Sequence, residues 1–423
     1  MFCFFKRMLK YFLYFILVIT VLTIGFIVYS VWFQPPFFFP KPTGQYAVGV
    51  VDYHWIDATR KEIFATDPEH PNRELMVKVW YPSEGLLPEK PTTPYAPYLI
   101  EYMKQNQSVT QGLIKFSKDR YSYAKPNVTL AIDKTQFPII IFSHGYGGTR
   151  DSNTANCEEL ASRGYIVVGI SHTYDSCVVE FPDGRIVDGI KSMKNRKHTE
   201  NFVEDHYQEL EIWINDVRFV LDQIEKLANE KISFFYQRLD LKNIAMFGHS
   251  YGGATTAQVC RLDSRVKAGV DLDGPLYGPN ATEKFDKPFM FILAQNTIAS
   301  VNRPWTQSDQ RAFSIYSPTV ENMFKSRYTP TIKLLAESMP QNVCTFVIKD
   351  AGHMAFSDMA LAKHASFFSY VFGGTSTGSI DGFCVTEIVN AYLVNFFDKY
   401  LKGKPSELLN GRGKKYEEVE QLK

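Results

Sequence analysis

The sequence lacks the signatures of several large classes of protein. Six cysteines occur in 423 residues and none forms a C-x-x-C pair, so no zinc site is expected. Basic and acidic residues almost cancel, at 46 against 45, and the formal net charge is only +1. No basic field therefore favours nucleic acid, and no acidic tail favours ion binding. What remains is a globular composition, 45% hydrophobic and 22% charged, in a chain long enough for one large domain or two ordinary ones.

One long apolar run is present near the N-terminus. Residues 11–33 carry no charge and exceed the roughly 20 residues that span a bilayer. Lys6, Arg7 and Lys10 precede the run, and the next charge is Lys41, so the positive-inside rule keeps the N-terminus cytoplasmic. We expect residues 1–33 to be a cytoplasmic stub with a single-pass, uncleaved signal anchor and the remaining chain to be extracytoplasmic. The alternative is a secreted protein with a cleaved signal peptide, although the run is longer than the apolar core of such peptides and Ser30 offers only a poor cleavage site.

Two further features bear on export without deciding it. Sequons at Asn106, Asn127 and Asn280 agree with an extracytoplasmic domain, but a chain of this length carries about three by chance. Beyond the apolar run lie Cys157, Cys177, Cys260, Cys344 and Cys384. Their spacing is compatible with one or two disulfides and equally with buried free thiols.

Alternating strand and helix patterns predict one α/β domain over residues 44–403, after a Pro- and Phe-rich linker at 34–43. Period-two alternation predicts an antiparallel hairpin at a sheet edge from residues 45–56 and 74–81. The elements expected next are a βαβ unit at 137–170, an amphipathic helix at 204–230, strands at 244–247, 266–272, 289–293 and 344–348, and a closing helix at 385–401. Residues 298–342 are expected to form a lid or insertion, with helical turns on either side of Pro330, and residues 404–423 a charged tail that frays.

The centre of the sequence is the segment GHSYGG at residues 248–253. It reads G-x-S-x-G, follows an apolar strand run and precedes a helical run, which is the context of a nucleophile elbow. Glycine is expected at Gly248 and Gly252 because a Cβ at either flank would clash in so sharp a turn. We therefore take Ser250 as the candidate nucleophile.

A glycine-rich loop, SHGYGG at residues 143–148, follows the strand expected at 137–142. In the architecture to which a nucleophile elbow belongs, the loop after such a strand supplies half of the oxyanion hole, and the residue after the nucleophile supplies the other half. This predicts the backbone amides of Tyr146 and Tyr251 as the two donors. His172 also ends a strand and is a rival general base, but we interpret it as a wall of the pocket.

The remaining partners of Ser250 are expected in the order serine, acid, histidine, each on a loop at the carboxyl end of a strand. Asp273 and His353 fit that order. Asp271 is the alternative acid, but it lies within the strand and is expected to point into the structure. His364 is the alternative histidine and falls in a helical segment.

These residues predict an acyl-serine mechanism. Neutral His353 would deprotonate Ser250, whose hydroxyl attacks an ester carbonyl, and water would hydrolyse the acyl-enzyme. Activity is expected to fall below about pH 6.5, the ordinary value for histidine. The mechanism requires no cofactor and no metal.

With its motifs in place, the sequence resembles the plasma-type (isoform II) platelet-activating factor acetylhydrolase family, a branch of the α/β-hydrolases. The resemblance covers roughly residues 44–403 and is carried by VKVWYP at 77–82, FSHGYG at 142–147, GHSYGG at 248–253, LDG at 272–274 and HMAFSD at 353–358. It implies a mostly parallel sheet flanked by helices and a serine esterase that hydrolyses acyl esters of phospholipids. The family's nucleophile, acid and base fall on Ser250, Asp273 and His353, and its oxyanion amides on Tyr146 and Tyr251.

Two departures from the family leave the substrate open. The stretch between Asp273 and His353 is longer than in the mammalian enzymes, and GPLY at residues 274–277 stands where the mammalian form has a tryptophan. Short acyl chains are therefore only weakly implied. A general carboxylesterase or lipase remains an alternative, and so does an inactive hydrolase-fold binding protein. Fluorophosphonate labelling lost in Ser250→Ala would separate the enzymes from the binding protein.

Overall fold

The computed structural model describes residues 2–32, 37–64, 67–105, 120–196, 202–276, 278, 283–304, 325, 328–329, 331, 342–362, 377–410 and 416–422. The chain begins with helix α1, Phe2–Trp32. Within it, Lys6–Gly25 has a mean hydropathy of 2.0 and is not buried against the rest of the protein. By length and composition, this helix is suited to a membrane anchor and equally to a signal sequence.

The centre of the domain is a sheet of ten strands in the described part of the chain. Its strands are β2 (Ala47–Lys61), β3 (Asn72–Ser83), β6 (Lys125–Pro126), β7 (Phe137–Ser143), β8 (Ile166–Ser171), β11 (Leu239–His249), β12 (Val266–Leu272), β13 (Phe289–Ala294), β14 (Val343–Ile348) and β15 (Val419–Leu422). Their order is β15-β14-β13-β12-β11-β7-β8-β3-β2-β6. The six strands from β8 to β14 in this order pair in parallel. They are nearly continuous apolar runs because both of their faces are covered.

Short strands lie outside this sheet. They are β1 (Phe37–Phe38), β4 (Thr93–Pro94) and β5 (Arg120–Ser122) in one small sheet, and β9 (Val178–Glu180) and β10 (Ile186–Asp188) in a hairpin.

Helices cover both faces of the central sheet. The helices after α1 in the described residues are α2 (Pro97–Gln105), α3 (Thr154–Ser162), α4 (Gly189–Asn195), α5 (Phe202–Asn229), α6 (Tyr251–Leu262), α7 (Gln295–Asn302), α8 (Met359–Ala362) and α9 (Gly382–Lys402). One apolar core joins α5 and α6 to the sheet, and a second core joins α3 and α9 to it. The stripe predicted for residues 204–230 is the face of α5 that enters the first core, through Leu210, Val217, Leu221 and Ile224. The α/β architecture predicted from the sequence is confirmed.

The structure differs from the sequence predictions at the end of the chain. The strand at 344–348 is not the last one, because Val419–Leu422 adds antiparallel to β14 and forms the sheet edge. The expectation that the charged tail frays is therefore wrong for these four residues. Most of the insertion expected at 298–342, including Pro330, lies outside the described residues, as does His364. Cys157, Cys177 and Cys260 are buried free thiols, and Cys344 and Cys384 are free and partly buried.

Candidate active site

Ser250 occupies the sharp turn between β11 and α6. Its backbone angles are φ 56° and ψ −119°, and its amide donates to the carbonyl of Leu272 at 2.9 Å. A Cβ on Gly248 would overlap the carbonyl of Gly252, and a Cβ on Gly252 would overlap the carbonyl of Ser143. Both glycines are thus required by close backbone approach, as the motif predicts.

The turn brings Ser250 into one hydrogen-bonded chain with His353 and Asp273. His353 Nε2 lies 2.9 Å from Ser250 Oγ, and its Nδ1 lies 2.7 Å from Asp273 Oδ2. An ionised carboxylate only accepts hydrogen bonds, so Nδ1 carries the proton and Nε2 accepts from the serine hydroxyl. This is the arrangement in which a histidine can take the proton of a serine.

Asp273 is held by groups that the sequence did not reveal. The residue is fully buried, follows β12 directly and has a positive φ of 55°. Oδ1 accepts from the amide of Ala294 at 2.8 Å, and Oδ2 also accepts from the hydroxyl of Thr297 at 2.6 Å. The hydroxyl of Tyr328 donates to the Asp273 carbonyl at 2.8 Å. These hydrogen bonds fix the orientation of the Asp273 carboxylate toward His353.

Asp271, the alternative acid, points elsewhere. Its Oδ1 accepts from the amide of Gly274 at 2.6 Å, and its Oδ2 is buried without a hydrogen-bond partner among the described residues. Burial raises the pKa of Asp271 well above its ordinary value, since a charged carboxylate is poorly solvated there. Its side chain packs against Gly253, beneath the turn that holds Ser250.

The loop that carries His353 is tied down at two points. His249 Nε2 lies 2.9 Å from the carbonyl of His353, and because a carbonyl only accepts, that nitrogen carries a proton. Burial, then the nearby His353, lowers the pKa of His249 to about 3, so its ring is neutral. Farther along the loop, Asp358 accepts from the amides of Thr154 and Ala155 at the start of α3. These contacts join the loop that carries His353 to the start of α3 and to the elbow strand β11.

The glycine-rich loop after β7 is oriented by His144, which the sequence analysis did not single out. The backbone amide of His172 lies 3.2 Å from His144 Nε2, and an amide can only donate. Nε2 is therefore the acceptor, and Nδ1 donates to the carbonyl of Gly145 at 2.7 Å. The amide of Gly148 donates to the same carbonyl at 2.8 Å. Because a peptide group is planar and trans, fixing this carbonyl also fixes the direction of the Tyr146 amide.

His172, the rival base, is placed where substrate cannot reach it. Its ring is fully buried, with Nε2 2.9 Å from Ser143 Oγ and Nδ1 2.9 Å from Asp216 Oδ2. The ring stacks on Trp213 at 3.8 Å, and Trp213 meets Tyr251 edge-on at 4.7 Å. Ser143 and Asp216 are also fully buried. His172 is thus part of the support beneath the site. The interpretation of it as a wall of the pocket is wrong, because the buried ring does not line the cavity beside Ser250.

A cavity of about 250 Å³ opens beside Ser250 and His353. Apolar side chains dominate its wall, and its lining includes Tyr95, Leu99, Tyr146, Cys177, Met354 and Met359. Its volume is below the range of about 300–1,000 Å³ typical for sites that enclose a drug-sized ligand. The space suits a small acyl group better than a whole lipid. In the described part of the chain, His, Cys, Asp and Glu side chains do not gather in a group of three or more that could hold a metal.

Comparison with known proteins gives a consistent picture. The family model described as platelet-activating factor acetylhydrolase, isoform II, matches residues 33–410. The chain is 26% identical to a probable 1-alkyl-2-acetylglycerophosphocholine esterase of Arthroderma benhamiae, over 90% of this chain and 93% of that protein. It is 24% identical to platelet-activating factor acetylhydrolase of Cavia porcellus, over 86% and 78% of the two chains. Among solved structures, a ferulic acid esterase from Streptomyces cinnamoneus matches with a TM-score of 0.67 and 26% identity, over 92% of this chain and all of that one.

Proposed function

The chain belongs to the platelet-activating factor acetylhydrolase isoform II family and is a carboxylic ester hydrolase acting on phospholipid esters, and we propose that it does so through Ser250, His353 and Asp273. One observation carries this assignment of roles. The three side chains form a continuous hydrogen-bonded chain at a nucleophile elbow that borders an apolar cavity. Acyl transfer through a serine requires a histidine within reach of the hydroxyl and a carboxylate that orients the histidine, and these three side chains meet both requirements.

In the proposed reaction, His353 Nε2 takes the proton of Ser250 as Oγ attacks the ester carbonyl. The backbone amides of Tyr146 and Tyr251 donate hydrogen bonds to the carbonyl oxygen and stabilise the negative charge that develops on it. The Tyr251 amide begins α6, where the partial positive charge of a helix N-terminus adds to the stabilisation. When the acyl C–O bond breaks, His353 returns the proton to the leaving alcohol. A water molecule then enters and gives a proton to His353 as its oxygen attacks the acyl carbonyl. His353 returns that proton to Ser250 Oγ when the acyl–serine bond breaks and the acid leaves.

The experiment combines active-site labelling with defined substrates. Wild-type protein should react with a fluorophosphonate probe, and Ser250→Ala should not, while the exposed Ser264→Ala variant should label like wild type. Wild-type protein should also release acetate from 1-alkyl-2-acetylglycerophosphocholine faster than it releases long acyl chains from diacyl phospholipids. Labelling that persists in Ser250→Ala would remove the assignment of the nucleophile.

A second candidate substrate class is a soluble, non-lipid ester. It is favoured by the structural similarity to a ferulic acid esterase over nearly the whole chain. The two classes are separated by comparing kcat/KM for a feruloyl ester with kcat/KM for the acetylated phospholipid. A higher value for the feruloyl ester would make the enzyme a general carboxylesterase.

We further propose that α1 anchors an extracytoplasmic hydrolase domain to the membrane. The support is an unburied apolar segment, Lys6–Gly25, preceded by basic residues and followed by an uncharged stretch. Protein that stays in the membrane fraction after alkaline carbonate extraction, and whose catalytic domain is protected from protease on the cytoplasmic side, would meet this expectation. A soluble product shortened near Ser30 would instead identify a cleaved signal.

A further inference from the structure

A second and larger cavity lies next to the candidate active site. Its volume is about 830 Å³, and its lining includes Ile63, Phe64, Asp67, Tyr174, Ile186 and Lys191. Arg196 also lines it and donates from Nη1 to the hydroxyl of Tyr146 at 3.2 Å. Tyr146 in turn lines the 250 Å³ cavity beside Ser250. The two cavities therefore share a wall made by the Arg196–Tyr146 contact.

The larger cavity lies at the edge of the sheet where ligands bind in this class of fold. β8 is parallel to β7, whose carboxyl end leads into the glycine-rich loop. β3 runs antiparallel to β8, with Met76 opposite Ser171 at the carboxyl end of β8. The tip of the β2–β3 hairpin, which carries Phe64 and Asp67, is therefore at the same edge as Ser250. Substrates of open α/β sheets bind outside this edge.

The basic side chains that line the larger cavity differ in whether a carboxylate of the protein already pairs with them. Arg196 contacts Asp175 at 2.5 Å and Glu209 at 2.9 Å. Arg185 contacts Asp183 at 2.7 Å and Glu74 at 2.8 Å. The ammonium of Lys191, by contrast, is exposed and has no ion-pair partner in the part of the chain that the structure describes.

An unneutralised carboxylate accompanies that ammonium. Asp67 is 41% exposed, contacts His70 Nδ1 at 3.0 Å and has no lysine or arginine partner among the described residues. The three basic and three acidic lining residues cancel formally, with Asp188 and Glu209 completing the acidic set. Asp188 accepts from the backbone amide of Lys191 at the start of α4, and Glu209 is paired with Arg196. The cavity thus offers the Lys191 ammonium and the carboxylate of Asp67 on a lining in which polar side chains alternate with apolar ones such as Ile63 and Ile186. Such a lining fits an amphiphile whose head carries both charges.

We propose that the 830 Å³ cavity binds the leaving-group half of the substrate, a glycerol with a zwitterionic phosphodiester head. Lys191 contacts the phosphate and Asp67 contacts the ammonium group, while the acyl group enters the 250 Å³ cavity beside Ser250. This assignment rests on the proposed esterase function. It also accounts for size, because the larger cavity lies within the range of about 300–1,000 Å³ for small-molecule sites and the smaller one does not.

The test compares three acetyl esters that differ only in the head: 1-alkyl-2-acetylglycerophosphocholine, its phosphate monoester without choline, and 1-alkyl-2-acetylglycerol. The full-length protein in detergent is used throughout. Lys191→Ala should raise KM for both phosphorylated esters about two- to fivefold relative to the headless ester, the range expected for an exposed ion pair. Asp67→Asn should raise KM in the same range for the phosphocholine ester alone. Lys191→Arg should restore the wild-type ratio, and the exposed Lys242→Ala should not alter it.

The outcomes separate this site from the function on which it rests. If Lys191→Ala and Asp67→Asn change KM for all three esters by the same factor, or change none, the cavity does not bind the head. If the wild-type enzyme cleaves all three esters without preference, the cavity assignment fails and the esterase function stands. If Ser250→Ala retains activity, the esterase mechanism fails first. Competitive inhibition by the lyso-phosphocholine product, but not by inorganic phosphate, would support binding of the whole amphiphile.

Discussion

Replacing Asp273 with asparagine tests the candidate site through the hydrogen bonds that surround one carboxylate. The Ala294 amide can only donate, so an asparagine at 273 places its carbonyl oxygen there and its NH₂ group toward His353. That NH₂ donates to Nδ1 and moves the ring proton to Nε2. Ser250 then faces a donor instead of an acceptor, and its hydroxyl proton has no base.

The size of the loss follows from the alternative orientation of the amide. Turning it over would place two buried donors, NH₂ and the Ala294 amide, against each other, at a cost of about 1–3 kcal/mol. The population of the productive tautomer is therefore lowered by about 5-fold to 160-fold. The loss of the charge that stabilises the histidine cation brings the total toward about 10⁴ in kcat, or about 5.4 kcal/mol.

The assay is steady-state hydrolysis of p-nitrophenyl acetate, with the rate of fluorophosphonate labelling measured in parallel. Asp273→Asn should lower kcat and the labelling rate together, and thermal melting should show that the protein is folded. Asp271→Asn is the matched control. Its carboxyl makes no contact with His353, and burial raises its pKa, which favours an uncharged side chain there. The uncharged amide has the same shape, so kcat should stay within about twofold. A loss of less than fivefold in Asp273→Asn, or an equal loss in Asp271→Asn, would refute the reasoning.

Three further predictions follow from other contacts. His144→Phe should lower kcat about 10²–10³-fold with little change in KM, because the Gly145 carbonyl loses a hydrogen-bond donor and the Tyr146 amide is no longer held in its direction. A change in melting temperature without a change in kcat would mean that His144 has a purely structural role. His172→Asn should lower the melting temperature but leave the folded protein reactive toward the fluorophosphonate probe. If folded His172→Asn protein is not labelled, His172 rather than His353 would be the general base. Burial raises the pKa of Glu158 to about 7, whereas in the unfolded chain the carboxyl loses its proton above about pH 4.5. Because the folded protein keeps that proton over a wider pH range, the free energy of unfolding should fall by roughly 3 kcal/mol between pH 4.5 and pH 7 and level off above pH 7. Glu158→Gln should flatten that decline in pH-dependent denaturant melts, whereas the exposed Glu230→Gln should not.

The parts of the fold and site that could be predicted are those encoded by local pattern. The elbow at Ser250 is visible because strand, glycine turn and helix follow one another within a few residues. Strand β12 was predicted with the bounds it has, Val266–Leu272, because it is an apolar run that ends in a turn. Asp273 was preferred to Asp271 from its position past the strand, and the structure places Asp273 against His353.

The parts that could not be predicted depend on contacts between distant residues. Thr297 and Tyr328 meet Asp273 across 24 and 55 residues, and neither belongs to a local pattern that indicates such a role. β15 was missed because it has only four residues, two of them polar, and a strand at a sheet edge needs no apolar run when one side faces water. The orientation of His144 follows from a backbone amide 28 residues away.

The backbone of Ser250 has a consequence for how such an enzyme evolves. Its angles, φ 56° and ψ −119°, lie in a region that glycine adopts freely and that disfavours other residues by about 1–3 kcal/mol. Ser250→Gly should therefore melt at a higher temperature than Ser250→Ala while being equally unable to form an acyl-enzyme. A lineage freed from the need to hydrolyse esters would gain thermal resistance by this one replacement, so the serine persists at the elbow only while its chemistry is under selection.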